Sequence, residues 1–233
     1  MTNIKMAIEK ENTYIQHRLN NEEPFHLVDE IKKYGFNTLD EYFDEKIKYL
    51  VSQTNFTFEE VYPNNAADVM LKLISSKKPG VLLMNTDITV VYHGSEEFNR
   101  EYCEEHNIPV VDYHTNGGTL IASDGELSIG VCTPNSTGVS ADWMLFKFRD
   151  ILSKYMDNVV VDNNDIMVDG KKVCGSTTYS DAETFAFIIQ FSFDDKSELI
   201  SAICPPPKTG KIPGFITKMT REQLRQEVRE WLL

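Results

Sequence analysis

A chain of 233 residues fits one large domain or two small ones, because single hydrophobic cores stop growing at roughly 250 to 300 residues. Hydrophobic residues at 41% and charged residues at 25% give a globular composition with enough apolar matter for a sizeable core. The formal charge of −13 and the pI near 4.8 argue against nucleic-acid partners, since an acidic surface repels phosphate backbones and no basic run offsets it. The longest apolar runs, such as Phe185 to Phe193, are far short of the roughly 20 residues that cross a membrane. Met1 to Leu19 contains Glu9 and Glu11 and no apolar stretch of the signal-peptide type. The expectation is a cytoplasmic protein that uses neither membrane nor nucleic acid. Cys103, Cys132, Cys174 and Cys204 form no C-x-x-C pair and are too scattered for a zinc cluster, so they read as reduced, mostly buried thiols.

The N-terminal third reads as helical. Pro24 to Tyr34 opens on a helix-starting proline, Gly35-Phe36-Asn37 is a turn, and Thr38-Leu39-Asp40-Glu41 is a capping box ahead of apolar Leu39, Phe43, Ile47 and Leu50. A further helix is predicted over Ala66 to Ser76. From Val81 the pattern changes to short β-type runs between turn residues, the signature of a mixed α/β or α+β sheet domain. Strands are predicted at Val81 to Met84, Ile88 to Tyr92, Pro109 to Tyr113, Thr119 to Ala122 and Leu127 to Cys132. Four more follow at Val159 to Val161, Ile166 to Val168, Lys172 to Thr177 and Phe185 to Phe193. Asp169-Gly170 is a two-residue hairpin turn whose central positions both need positive φ. Ser95, with Glu96 and Glu97, is expected to cap a helix to His106. Val139 to Met156 carries a helical stripe, within which Trp143 and Phe146 to Phe148 read as core. Thr220 with Gln223 caps a last helix that turns Leu224, Val228, Trp231 and Leu232 inward.

Two segments could carry chemistry. Asn116-Gly117-Gly118-Thr119, between two strands, can bring backbone N–H groups close to an anion, although such a stretch taken alone is more often a β-turn with no ligand. Asn164-Asp165 opens a hairpin that Lys172 follows on the return strand. A carboxylate can hold a magnesium ion and a lysine can neutralise phosphate oxygens, a pairing that suits nucleotide chemistry.

Together, in order and spacing, these segments resemble the biotin/lipoate ligase superfamily, and most closely its lipoate-protein ligase A family. The resemblance runs over roughly residues 64 to 230. Val90-Val91-Tyr92-His93-Gly94, Glu97 to Tyr102 and Asn107 to Val111 are similar to the family's opening strand, helix and strand. Asn116 to Leu120 with Asp124-Gly125-Glu126-Leu127 resembles its triple-glycine loop and the Gly-Asn-Leu beyond it. Asn164-Asp165-Ile166 and Lys172-Val173-Cys174-Gly175-Ser176 resemble its Asn-Asp and Lys-x-x-Gly signatures, and Pro207-Lys208 with Lys211 to Phe215 its closing lysine-rich loop.

The resemblance implies an α+β fold with a central mixed β-sheet flanked by helices, the class II synthetase-like catalytic fold, over residues 64–233, with residues 1–63 as a helical N-terminal extension packed on it. It implies activation of lipoate by ATP with Mg²⁺ to lipoyl-adenylate, and transfer to a lysine of an acceptor protein. Lys172 would be catalytic, and Asp165 with Asn164 would hold the metal. Asn116, Gly117, Gly118, Thr119, Gly175 and Ser176 would bind acyl group and adenylate, with His93 and His114 as further candidates near that face. A lone histidine is nevertheless more often a hydrogen-bonded structural residue.

The chain departs from the family where an arginine pair usually precedes the glycine loop. Asp112 and Tyr113 stand there, Asn116 replaces the first glycine, and Ala122 replaces a following histidine. Neither Asp nor Tyr reproduces a bidentate arginine fork, so phosphate contacts fall to Lys172, the loop amides and Lys171 or Lys208. Two other readings stand beside the ligase. One is an ATP-independent octanoyl or lipoyl transferase working through Cys204, and the other is a lipoate-binding relative without catalysis.

Overall fold

The structure is a computed structural model that describes residues 3–19, 27–62, 66–86, 88–93, 97–112, 119–204 and 211–232. The chain divides into two compact units, Met1–Asn55 and Phe56–Leu233.

The first unit holds α1 (Asn3–Leu19), α2 (Leu27–Lys32) and α3 (Leu39–Ser52). Its core is Ala7, Ile31, Phe36 and Tyr42, and the Tyr42 hydroxyl donates to the buried Glu11 carboxylate at 3.0 Å beside Lys46. Thr38 caps α3 by accepting from the Glu41 N–H at 3.1 Å, while Glu41 reaches back one residue past the usual partner, to the Asn37 N–H at 2.8 Å. The stripe expected on α3 is corrected: Tyr42 and Val51 are buried, whereas Leu39 and Phe43 are exposed. Helix α1 was not read from the sequence, and Pro24 lies outside the described residues.

The second unit is built on a seven-stranded sheet in the order β1-β2-β6-β10-β9-β8-β7. These strands are β1 (Thr57–Val61), β2 (Gly80–Asn85), β6 (Glu126–Pro134), β7 (Val159–Asp162), β8 (Asp165–Val168), β9 (Lys171–Ser180) and β10 (Thr184–Ser192). Only β1 and β2 pair in parallel. A three-stranded sheet, β4-β3-β5, comprises β3 (Val90–His93), β4 (Val110–Asp112) and β5 (Leu120–Ala122). The helices are α4 (Ala66–Ser76), α5 (Arg100–Glu105), α6 (Ala141–Ser153), α7 (Ser197–Ile203) and α8 (Arg221–Leu232). The α+β class with a mixed sheet flanked by helices is therefore present as the sequence predicts. Strand β1 belongs to this sheet, so the second compact unit begins at Phe56, ahead of the segment from residue 64 that the sequence reading assigns to the catalytic domain.

Strands β6 and β10 are buried on both faces and alternate between two cores. Phe187 and Phe191 point to Phe148 of α6, with ring centroids 6.3 and 5.4 Å away, and Phe148 meets Trp231 of α8 at 5.7 Å. Phe146, read as core, is 46% exposed, because it lies on the opposite side of α6 from Phe148. On the other sheet face Ala186, Ile188, Leu82 and Met84 pack with Val69 and Met70 of α4 and with Val90, Tyr92 and Ala122 of the small sheet. The small sheet's outer core joins Val91, Ile121, Cys103 of α5 and Ile203 of α7.

Helix α5 begins later than expected. Glu97 is not helical, Ser95 lies outside the described residues, and Asn99 is the cap, accepting from the Tyr102 N–H at 3.0 Å. Asn99 is fixed from outside the helix, since its backbone N–H donates to the Ile203 carbonyl at 2.7 Å. The predicted turn between β8 and β9 is present, with Asp169 at φ 49° and Gly170 at φ 75°. So is the last capping box, in which the Gln223 N–H donates to the Thr220 hydroxyl at 3.2 Å and the Thr220 N–H to the Gln223 side chain at 2.8 Å. No described helix is long and apolar enough to cross a membrane.

Candidate active site

Residues directly opposed on neighbouring strands project from one face of a sheet. The pairing Ser128–Gln190, Gln190–Gly175 and Gly175–Asp165 therefore lays a polar row across β6, β10, β9 and β8, on the face turned to the small sheet. Above this row lies a cavity of about 460 Å³. Its polar wall includes Asp165, Lys172, Gln190 and Lys211, and its apolar wall includes Leu120, Ile121, Val173, Ile200 and Cys204. The Gln190 side-chain amide donates to the Ile121 carbonyl and so ties the large sheet to β5 across the cavity.

Simple alternation would send Lys172 and Gly175, three residues apart, to opposite faces. A register shift between Ile166 and Met167 changes this, so that Lys172 pairs with Met167 while Gly175 pairs with Asp165. An irregularity of this kind re-aims a side chain, and it brings the Lys172 ammonium to 2.9 Å from Asp165 Oδ1. Gly175 leaves the space that this needs. A Cβ there would lie 3.3 Å from both Cε and Nζ of Lys172 and 3.6 Å from Asp165 Oδ1.

The second Asp165 oxygen is taken by Lys211, at 2.8 Å. Lys211 also meets Asp162 Oδ2 at 3.0 Å and the Asp162 carbonyl at 2.8 Å. Burial works against its charge, but the hydrogen bonds it donates to Asp165 and Asp162 outweigh it and hold its pKa above the usual lysine value. The backbone beside it continues the sheet: the Lys172 N–H donates to the Ile212 carbonyl at 2.9 Å, and the Gly214 N–H donates to the Lys172 carbonyl at 2.8 Å.

At the sheet end of the cavity Glu126 is almost fully buried and accepts from the Ser123 N–H at 2.7 Å and the Ser123 hydroxyl at 3.2 Å. Burial nevertheless raises its pKa to about 7. Cys174 is buried, and burial pushes its thiol well above the usual cysteine range. Cys204 ends α7 half-buried at the cavity, and the four cysteines form no disulfide.

Of the residues picked from sequence, the fold gathers Thr119, Asn164, Asp165, Lys172, Gly175 and Ser176 around this one cavity. The Ser176 hydroxyl and N–H both donate to the Asn164 carbonyl, at 2.8 and 3.0 Å, so this serine holds the hairpin mouth together. His93 does not line the cavity; it sits at the end of β3 with Nδ1 3.2 Å from Asp112 and its ring 5.0 Å from Phe98. Asn116, Gly117, Gly118 and His114 lie outside the described residues, as does Lys208.

Asp165 and Asn164, the expected magnesium ligands, both line the cavity. Both Asp165 oxygens face ammonium groups, and among the described residues no group of three or more His, Cys, Asp or Glu forms a metal-binding cluster. A cation at Asp165 would have to displace a lysine. The sequence reading missed the Lys211 contact, Glu126 and Gln190. Lys211 and Glu126 were visible only as members of segments that resemble the family's lysine-rich loop and its Gly-Asn-Leu, and nothing local marked Gln190.

The family model described as the lipoyl protein ligase A/B catalytic domain matches residues 63–226 of the chain. Among solved structures, lipoate-protein ligase A bound with ATP superposes at a TM-score of 0.61 and 16% identity, over 76% of this chain and 83% of that one. A bi-partite lipoate protein ligase from Thermoplasma acidophilum, described with its E2 lipoyl domain, gives 0.61 at 16% identity, over 76% and 81%. LipL1 of P. falciparum in complex with lipoate gives 0.61 at 14% identity, over 76% and 61%. At such identities the likeness is one of fold. No curated protein matches the chain.

Proposed function

Because the chain belongs to the lipoyl protein ligase A/B catalytic-domain family, we propose that it activates lipoate or a related medium-chain acid with ATP and passes the acyl group to a lysine of an acceptor protein. The observation that carries this reading is a lysine, Lys172, held 2.9 Å from Asp165 at the polar wall of a cavity whose other wall is apolar. The apolar wall suits a hydrocarbon chain, and the lysine suits the acid's carboxylate. ATP in one structural relative and lipoate in another support the same pair of substrates.

In the first step a carboxylate oxygen attacks the α-phosphorus and pyrophosphate leaves. In the second, the acceptor amine attacks the acyl carbon and AMP leaves. Each step concentrates negative charge where the acid's head lies. A pre-positioned ammonium there lowers both barriers, an effect worth roughly 2.7 to 4 kcal/mol for one well-placed donor. Asp165 fixes the direction of Lys172, and the lack of a side chain at Gly175 leaves room for its tip. No step is assigned to a protein-bound metal.

The test is acid-dependent pyrophosphate release from magnesium-ATP with lipoate, octanoate or biotin in turn. Release with lipoate or octanoate supports the ligase, and none with any acid removes it. A second reading is kept because Cys204 lines the same cavity as Lys172. In an ATP-independent acyltransferase the Cys204 thiolate would attack the acyl carbon of a thioester donor and expel the donor's thiolate, and the acceptor amine would then take the acyl group and free Cys204. Cys204→Ser retains most activity under the ligase reading and abolishes transfer under the other. A hydroxylamine-sensitive acyl adduct on Cys204, seen by intact-mass spectrometry, would decide for the acyltransferase.

A further inference from the structure

The Lys211 side chain is only 10% exposed, and its polar contacts among the described residues lead to the acidic groups around Lys172: Asp165 Oδ2, Asp162 Oδ2 and the Asp162 carbonyl. The segment that carries it is seated against Lys172 itself through the two backbone hydrogen bonds of Ile212 and Gly214. Gly214 permits that approach, since a Cβ there would come within 2.6 Å of the Lys171 Cβ. In this cluster two ammonium groups balance two carboxylates. Taking Lys211 away would leave Lys172 alone against Asp165 and Asp162, and an anion arriving at the cavity would meet net negative charge.

We infer that Lys211 is a positioning residue for the activation step: it acts on Lys172 through their shared carboxylate, Asp165, and cancels the second carboxylate, Asp162, so that the cavity mouth accepts a polyphosphate. The inference rests on the ligase reading for its reaction, but its charge argument concerns anion binding and is testable separately. Asp162 gives the sign. It touches Lys211 and not the Lys172 ammonium among the ion pairs formed here, and its side chain is 48% exposed. Its neutralisation therefore moves the local charge opposite to the loss of Lys211.

The experiment titrates inorganic pyrophosphate, by calorimetry, into the 233-residue chain and its Lys211→Met, Lys211→Arg and Asp162→Asn variants, with KM and kcat for ATP measured in parallel. One unit of charge at this range shifts anion affinity roughly tenfold. The expected order is Asp162→Asn tightest, then wild type with Lys211→Arg close to it, then Lys211→Met weakest by about that factor. KM for ATP should follow the same order. A purely structural Lys211 predicts that Asp162→Asn, which removes one of its contacts, weakens binding as Lys211→Met does. That outcome, a flat series, or no pyrophosphate binding by the wild type would overturn the inference. Should Lys211→Met fail to fold, the sign of the Asp162→Asn effect still decides. The ordered affinities without acid-dependent pyrophosphate release would instead defeat the ligase reading and leave the Lys211 assignment in place.

Discussion

A methyl group on residue 175 would sit 3.3 Å from the tip of Lys172, tighter than a side chain tolerates without moving. The Gly175→Ala substitution should therefore displace the ammonium by a fraction of an ångström and lower acid activation ten- to hundredfold, while the melting temperature stays nearly constant. Steady-state kinetics beside a thermal melt check this, and unchanged turnover would show that the glycine is not there for the lysine. Glu126 gives a second prediction, through pH. Its folded pKa of about 7 lies above the ordinary 4.5. Below about pH 4.5 the carboxyl is protonated in both states and its burial costs little. As pH rises through the folded value, the unfolded chain gives up its proton first, and stability falls by on the order of 3 kcal/mol. Glu126→Gln should remove most of that decline between pH 4.5 and 7, read from urea midpoints at each pH. The same slope in the variant would contradict it. At this scale Lys172, Asp165 and Gly175 were legible because they stand within one hairpin. Lys211, Glu126 and Gln190 were not, because their meaning comes from strands and segments distant in the chain.

The elements that the sequence announced are those with a local cause. Thr220 and Gln223 form the reciprocal cap predicted for α8, and Asp169-Gly170 makes the turn it was expected to make. Thr220→Ala should accordingly cost about 1 kcal/mol in chemical denaturation with no change in substrate affinity. A loss well below that would mean that packing of Leu224 and Val228 alone holds the helix. The elements that escaped lack a periodic signal. Strand β1, Thr-Phe-Glu-Glu-Val, buries only Val61 because it lies at the sheet edge, and α7 is seven residues long. The start of α5 is set by Asn99 bonding to the end of α7, a tertiary contact that overrides the cap expected from Ser95. Most consequential is the register shift between β8 and β9. It puts Lys172 on the same face as Gly175 and Asp165, and alternation read from the sequence would have separated them.

At the scale of the whole molecule, a chain of net charge −13 turns lysines inward at one cavity. There Lys172 and Lys211 are set against carboxylates, with an apolar wall opposite. That layout follows from the second unit: the seven-stranded sheet supplies Asp165 and Lys172, the segment after α7 supplies Lys211, and the small sheet with α7 supplies Leu120, Ile121 and Ile200 of the apolar wall. Under the proposed function the cavity forms an acyl-adenylate, with Lys172 bearing on the charge that develops. The most direct measurement is exchange of labelled pyrophosphate into ATP, with and without lipoate, in the wild type and in Lys172→Ala. Exchange should depend on the acid in the wild type and fall by two to three orders of magnitude in the variant at an unchanged melting temperature. Exchange that ignores the acid, or full exchange in Lys172→Ala, would contradict it.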